Sequence, residues 1–313
     1  MADDAHSIDP DDPTFVYNEF AYFDENCSEY DLTRPDDLAV TRTAYPLEDG
    51  RAVSALRWGR GAADLVLLHG GAQNAHTWDT VLLALNCPAV AFDLPGHGRS
   101  GRRLDGWYDP PHNADAVIAA VEQAVEAGDL SAPFILVGMS LGGLTATAIA
   151  ARRPDLVRSL VVVDVTPGVN ADKAKAIHDF LAGPQFFPSF AEIFDRTVAF
   201  NPTRSATSLR RGILHNAHRV ASGAEAGSWE WNYDRRSLTE YDMPPMVDLW
   251  DDVSAVTCPY LLVRGGVSPV VDDDDVAELM RRQPGAEVVV VPDAGHSVQG
   301  DDPLRLADLI RER

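Results

Sequence analysis

Ser140 lies within Val137-Gly138-Met139-Ser140-Leu141-Gly142-Gly143, a serine set among glycines between an apolar run and a stretch of helix formers. Residues 133–137 predict a buried strand and residues 144–151 a helix, so the serine occupies a sharp strand-to-helix corner, a nucleophile elbow. A Cβ at Gly138 or Gly142 would meet the crossing backbone there. The Ser140 Oγ is then exposed at a helix N-terminus, where the Leu141 N–H and the helix dipole can stabilise an oxyanion.

A serine hydroxyl attacks poorly until a base takes its proton. His296, in Pro292-Asp293-Ala294-Gly295-His296, follows the last apolar strand directly and is the candidate base. His69 and His97 sit in other turn motifs, while His6, His76, His112, His178, His215 and His218 fall in the tail, on helices or in a long insertion. A second oxyanion donor is expected from the loop Leu68-His69-Gly70-Gly71-Ala72, where glycine lets backbone approach a substrate closely. The N–H of Gly71 is nominated, with Ala72 as the alternative one residue away.

These groups need a scaffold that brings them together. Short continuous apolar runs at 65–68, 89–92, 133–137, 160–163, 260–263 and 288–291 alternate with helical segments such as 114–127. That rhythm predicts an α/β fold with a mostly parallel sheet covered by helices on both faces. Before it, residues 38–58 read as an antiparallel hairpin around Asp49-Gly50. About ninety residues separate Thr166 from Thr257, far more than one crossover needs. Their helical candidates, 171–181, 189–200 and 205–220, predict a helical cap over the carboxyl ends of the strands, where ligands bind in open α/β sheets. The expected organisation is an acidic N-terminal extension (1–37), a core formed by 38–166 and 257–313, and the cap or lid (167–256). The extension carries Phe15, Tyr17, Phe20, Tyr22 and Phe23, too aromatic for pure disorder, and is expected to dock on the domain.

His69-Gly70-Gly71 with Trp78 behind it, Asp93-Leu94-Pro95-Gly96-His97-Gly98-Arg99-Ser100, the Ser140 elbow and Gly295-His296 occur in an order that resembles the α/β-hydrolase fold superfamily. The resemblance runs from about residue 38 to the C-terminus and implies triad chemistry and a helical lid after the sixth strand. Relatives usually carry the triad acid in a Gly-x-x-Asp turn after the seventh strand. Here that turn reads Arg264-Gly265-Gly266-Val267-Ser268-Pro269, with serine in place of the carboxylate. A hydroxyl cannot stabilise an imidazolium as a buried carboxylate does. Asp164, after the sixth strand, is the expected substitute, because some branches of the family place their acid there. Asp272, the first of four consecutive aspartates, is the runner-up, although such a run suits a helix N-terminus.

The net charge of −22, from 48 acidic and 26 basic residues, disfavours nucleic acid and anionic membranes as partners. A small-molecule substrate is the expected partner, and the sequence leaves the oligomeric state open. Three cysteines suggest free thiols, and the N-terminal residues have no signal-peptide pattern, so a cytoplasmic location is expected. No cofactor is expected. His215 and His218 could share a metal, but no carboxylate completes the set, so no metal is expected either. Met139, Trp229 and Trp231 are candidates for the substrate pocket, with Leu141 beside Met139 at its floor. The leading expectation is a cofactor-free serine hydrolase acting on an ester, thioester or lactone of a small apolar acid. Alternatives are a carbon–carbon bond hydrolase of meta-cleavage type, a cofactor-free haloperoxidase or lyase, and a non-catalytic ligand-binding member of the fold.

Overall fold

The computed structural model describes residues 9–235 and 249–313; His6 lies outside them. β1 (Val40–Pro46) and β2 (Ala52–Trp58) form the expected antiparallel hairpin. Gly50 takes a φ of 82° in its turn, which a side chain would resist. β3 (Ala63–Leu68), β4 (Ala89–Phe92), β5 (Leu130–Met139) and β6 (Val157–Val163) follow. The connection after β6 holds β7 (Phe186–Phe187), β8 (Ala217–Arg219) and β9 (Trp229–Trp231), and β10 (Tyr260–Gly265) and β11 (Glu287–Val291) complete the chain. The main sheet has the order β1-β2-β4-β3-β5-β6-β10-β11, parallel from β4 onward.

The central strands are apolar on both faces because both faces are covered. Val66 and Leu68 of β3 pack toward the helices Pro110–Glu126, Leu141–Arg152 and Leu249–Ala255. Leu65 and Leu67 point the other way, toward Asp79–Leu85 and Pro303–Arg311. Each such leucine contributes about 2 kcal/mol of burial. Parallel pairing sends every strand's carboxyl end to the same edge. The ends of β3, β5, β6, β10 and β11 lead into the segments holding Gly71, Ser140, Asp164, Ser268 and His296, respectively.

The insertion after β6 contains helices Lys175–Leu181, Phe190–Phe200 and Ala206–Asn216, close to the helical candidates. It also contains a three-stranded antiparallel sheet, β7-β9-β8, that the sequence reading did not foresee. The segment 205–220 was expected to be helical throughout, but its helix stops at Asn216 and the chain enters β8. Gly223 and Gly227, at φ of 95° and 92°, let the strand return as β9, and the alternating Trp229 and Trp231 are both buried. Alternation of aromatics satisfies a two-residue period, and pairing with β8 decides in favour of strand.

The N-terminal segment lies against both parts. Phe23, on the helix Phe23–Glu29, is buried with its ring 5.1 Å from that of Trp58 in an edge-to-face contact. Glu25 and Glu29 of the same helix bind the buried Arg211 of the insertion. Asp11 accepts the Phe190 N–H at 2.8 Å and the Trp229 Nε1–H at 2.7 Å. Among the described residues no helix is long and apolar enough to cross a membrane.

Phe23→Ala is expected to lower the free energy of unfolding by about 3 kcal/mol, as for other buried phenylalanines. Urea titration measures it; an unchanged midpoint would mean that the segment contributes no core.

Candidate active site

The elbow is built by contacts that only glycine allows. A Cβ on Gly138 would lie 2.2 Å from the Gly142 carbonyl oxygen, and one on Gly142 would lie 2.3 Å from that of Leu68. Ser140 itself takes φ 51°, a conformation that side chains resist, and the helix Leu141–Arg152 begins on its next residue. Its N–H is tied to the Val163 carbonyl on the neighbouring strand at 3.0 Å. The hydroxyl is thereby fixed at the carboxyl edge of the sheet.

His296 Nε2 lies 3.0 Å from Ser140 Oγ, and its Nδ1 lies 2.8 Å from Asp164 Oδ2. The Asp164 carboxylate is fully buried and also takes φ 51°, in the turn that leaves β6. It accepts the Gly265 N–H on Oδ1 at 2.8 Å and the Ser268 hydroxyl on Oδ2 at 2.5 Å. Ser268 therefore stands beside the Asp164 carboxylate. The Gly265 position also carries the histidine loop, because a Cβ there would lie 2.2 Å from the Gly295 carbonyl oxygen. Asp272 is elsewhere: it caps the helix Asp273–Arg282 in a reciprocal capping box with Asp275 and pairs with Lys173 at 2.9 Å.

The loop holding Gly71 is pinned by two histidines whose function the sequence reading did not see. His69 Nε2 accepts the Leu94 N–H at 2.8 Å, which leaves its Nδ1–H to donate to the Gly70 carbonyl at 2.7 Å. His97 Nε2 accepts the Ala72 N–H at 3.1 Å, and its Nδ1–H donates to the Pro95 carbonyl. Ala72, the alternative oxyanion donor, is thus already committed. No described residue accepts the N–H of Gly71 or of Leu141. Asn216 of the insertion donates to the Ala72 carbonyl at 2.5 Å and holds the loop from above. Below it, the fully buried Asp93 accepts the Ala75 and Arg99 N–H groups and pairs with Arg42 at 2.7 Å. A histidine at i and another near i+28, each in a glycine turn, was the available signal.

A cavity of about 530 Å³ opens beside His296 and Gly71. Ile177, Phe180, Leu181, Phe200 and Trp231 give it apolar walls. Of the three pocket candidates, only Trp231 lines it. Met139 is buried in the core, where a Cβ on Gly70 would strike its sulfur at 2.4 Å, and it does not line this cavity. Trp229 faces a second, smaller cavity with Tyr17 and Arg42. The burial of Met139 follows from strand direction: a residue just before the elbow points into the sheet's own core. His215 and His218 do not share a site; His218 Nδ1 contacts Asn232 at 2.7 Å, and His215 faces His76.

Residues 65–309 match the model of the alpha/beta hydrolase family. The chain belongs to that family. This hydrolase is 41% identical over 309 residues to esterase Rv0045c of Mycobacterium tuberculosis, covering 96% of this chain and 97% of that protein. A structure of that esterase superposes with a TM-score of 0.80 over 94% of this chain and 98% of the other, at 43% identity. The 3-hydroxybutyrate-oligomer hydrolase of Cupriavidus necator is 29% identical over 80% of this chain and 88% of its own length. A crystal structure of E-2-(acetamidomethylene)succinate hydrolase, at 24% identity, shares the fold with a TM-score of 0.75 over 88% of this chain and 98% of its own. This hydrolase is accordingly an enzyme of the α/β-hydrolase class, with the recognised fold and sheet.

Complete burial, helped by nearby His97, pushes the His69 imidazole down to about 3, against smaller opposing effects of Asp93 and the Gly70 carbonyl. The unfolded chain takes up this proton below its ordinary value of about 6.5 and the folded chain does not. The stability from neutral His69 is therefore complete above that pH and is lost as pH falls toward 3. Urea unfolding between pH 6 and 5 is expected to show a slope of about 1.4 kcal/mol per pH unit from this residue. His69→Gln should lose that part of the slope; an unchanged slope would assign it to other groups.

Proposed function

We propose that this hydrolase cleaves carboxylic esters of small, mainly apolar acids through an acyl-enzyme on Ser140, without a cofactor. The observation that carries the reading is the continuous hydrogen-bonded line from Ser140 Oγ through His296 to the buried carboxylate of Asp164. Ser140 Oγ attacks the carbonyl carbon while His296 Nε2 takes its proton. The negative charge that develops on the carbonyl oxygen is met by the N–H groups of Gly71 and Leu141, which no other described group uses. The imidazolium returns its proton to the departing alcohol, which leaves the acyl group on Ser140. Water then attacks the acyl carbon while giving a proton to His296, and His296 passes that proton to Ser140 Oγ as the acid leaves.

Asp164 keeps the Nδ1–H tautomer of His296 in place and offsets the imidazolium charge. Ser268 acts as a positioning residue, since its hydroxyl holds the same carboxylate oxygen that faces the histidine. The apolar wall formed by Phe180, Phe200 and Trp231 suits an acyl chain, and the insertion that supplies it serves as the lid. Thioesters and lactones offer the same electrophile and fall within the proposed range. Ester chemistry is further supported by the name of the esterase of M. tuberculosis, matched over nearly the whole of both chains. The proposed partner is a small molecule, met in the cytoplasm.

A fluorophosphonate probe is expected to label Ser140 in the folded protein, and Ser140→Ala to abolish both labelling and hydrolysis of p-nitrophenyl esters. A folded protein that hydrolyses esters without labelling at Ser140 would sink this assignment, and one that does neither would favour a ligand-binding role.

The acid has its own test. Asp164→Asn is expected to lower kcat by about 10⁴-fold, Ser268→Ala by about tenfold through loss of one charge-assisted hydrogen bond, and Asp272→Asn hardly at all. Steady-state kinetics on one ester rank the three, and a larger loss for Asp272→Asn than for Asp164→Asn would reverse the choice.

A further inference from the structure

Among the described residues, three lysine and arginine side chains line the cavity that His296 also lines: Lys173, Arg204 and Arg211. Two of them are neutralised by carboxylates. Lys173 Nζ is 2.9 Å from Asp272 and 2.7 Å from Asp275, and Arg211 binds Glu25 and Glu29. Arg204 differs. Its Nε donates to Ser208 Oγ at 2.8 Å, but it forms no ion pair with a described carboxylate. Asp301, whose charge reaches it, commits Oδ2 to the Thr203 hydroxyl at 2.9 Å and to the Gly295 N–H at 2.7 Å. Burial pushes the Arg204 guanidinium below its ordinary value, and Asp301 offsets this only in part.

The guanidinium is nevertheless held in one place. Arg204 lies in the turn between the insertion helices Phe190–Phe200 and Ala206–Asn216, with its N–H on the Asn201 carbonyl at 3.2 Å. A Cβ on Gly300 would lie 2.7 Å from its Nε and 2.9 Å from its Cζ, and one on Gly212 would lie 3.6 Å from a terminal nitrogen. The fork therefore sits between two glycines that both line the cavity. Gly300 belongs to the short helix Val298–Asp301, which begins two residues after His296, so the fork packs on the same loop as the base. Its two terminal nitrogens donate to no described residue, and neither is sealed inside the protein. Such a fork matches a planar oxyanion through two parallel N–H bonds. With Lys173 and Arg211 already neutralised, one positive charge is left over, which suits a singly charged carboxylate better than a phosphate dianion.

We propose that Arg204 binds an ionised carboxylate that the substrate carries at a distance from the scissile bond, so that the preferred substrates are esters with one free acid group. This rests on the ester hydrolysis at Ser140 proposed above and adds a charge requirement to it. Phe180, Phe200 and Trp231 line the same cavity and suit an apolar chain joining the two polar ends. A net charge of −22 repels anions at long range, so selection for this group has to come from a short-range contact. That contact exists before and during the reaction alike, and its gain therefore appears in KM more than in kcat.

Paired substrates test this on the full-length protein. One pair places the acid in the acyl chain: the mono-p-nitrophenyl esters of adipic and suberic acids, each against the same compound with its far carboxyl methylated. The other places it in the leaving group: 4-carboxyphenyl hexanoate against 4-(methoxycarbonyl)phenyl hexanoate. In one of the two arms the wild type is expected to favour the free acid by about 10- to 100-fold in kcat/KM, mainly through KM. Arg204→Gln is expected to bring that ratio close to one, Arg204→Lys to lose part of it because an ammonium lacks the fork, and Lys175→Gln, on the exposed side of the insertion, to retain it. If Arg204→Gln does not fold, Arg204→Lys is read in its place. A wild-type ratio near one in both arms, a ratio that survives the Arg204 substitutions, or an equal loss in Lys175→Gln would overturn the proposal while leaving ester hydrolysis intact. If no ester is turned over, the ester reading fails by itself and binding decides the role of Arg204. Calorimetry with monoethyl adipate is then expected to show at least tenfold tighter binding to Ser140→Ala than to the double variant Ser140→Ala, Arg204→Gln, and equal binding would overturn it.

Discussion

The carboxylate of Asp164 is where the separate parts of this molecule meet. Its oxygens accept from the Gly265 N–H, the Ser268 hydroxyl and His296, so the ends of β6 and β10 and the loop after β11 converge on one buried charge. A buried ion is tolerated only when its lone pairs are satisfied, and here three donors do so. The same arrangement explains why Asp164 can hold a left-handed φ without a glycine: the contacts over-determine it. Ser140, one strand away, is held in the same way between Gly138, Gly142 and the Val163 carbonyl.

From that point outward the structure is a series of clamps on loops. Neutral His69 and His97 join the Gly71 loop to the turn after β4, and Asp93 with Arg42 fastens that turn to β1. Asn216 reaches down from the insertion to the Ala72 carbonyl. The N-terminal segment closes the circle, with Phe23 on the core, and Asp11 and Glu29 on the insertion. Loops that carry reactive groups need such support, because their own backbone has few hydrogen bonds to spend on rigidity.

The excess of acidic side chains is mostly a property of the surface, but the exceptions matter. Asp79, Asp93 and Asp164 are all buried, and each is matched by a different device: histidines, an arginine with backbone N–H groups, or the hydroxyl and N–H groups of a turn. Composition counts these residues with the rest. Their surroundings separate them.

The elbow, the strands and the hairpin were legible because they depend on local rules: glycine where backbone crosses, β-branched runs where both faces are covered, Asp-Gly where the chain reverses. Ser140 and His296 were legible for the same reason, each lying next to a strand end. Which of Asp164 and Asp272 stands beside His296 depended on the tertiary structure, since the neighbour of a carboxylate depends on strand order; β6 lies beside β10 although about a hundred residues separate them. The small sheet of the insertion was hidden because β8 and β9 are too short to show a period. Met139 and Trp229 do not line the cavity beside His296, because neither adjacency to the nucleophile, for Met139, nor alternation with Trp231, for Trp229, tells which cavity a side chain meets. His76 and His215 are far apart in sequence, and only folding stacks their rings 4.0 Å apart over one aspartate.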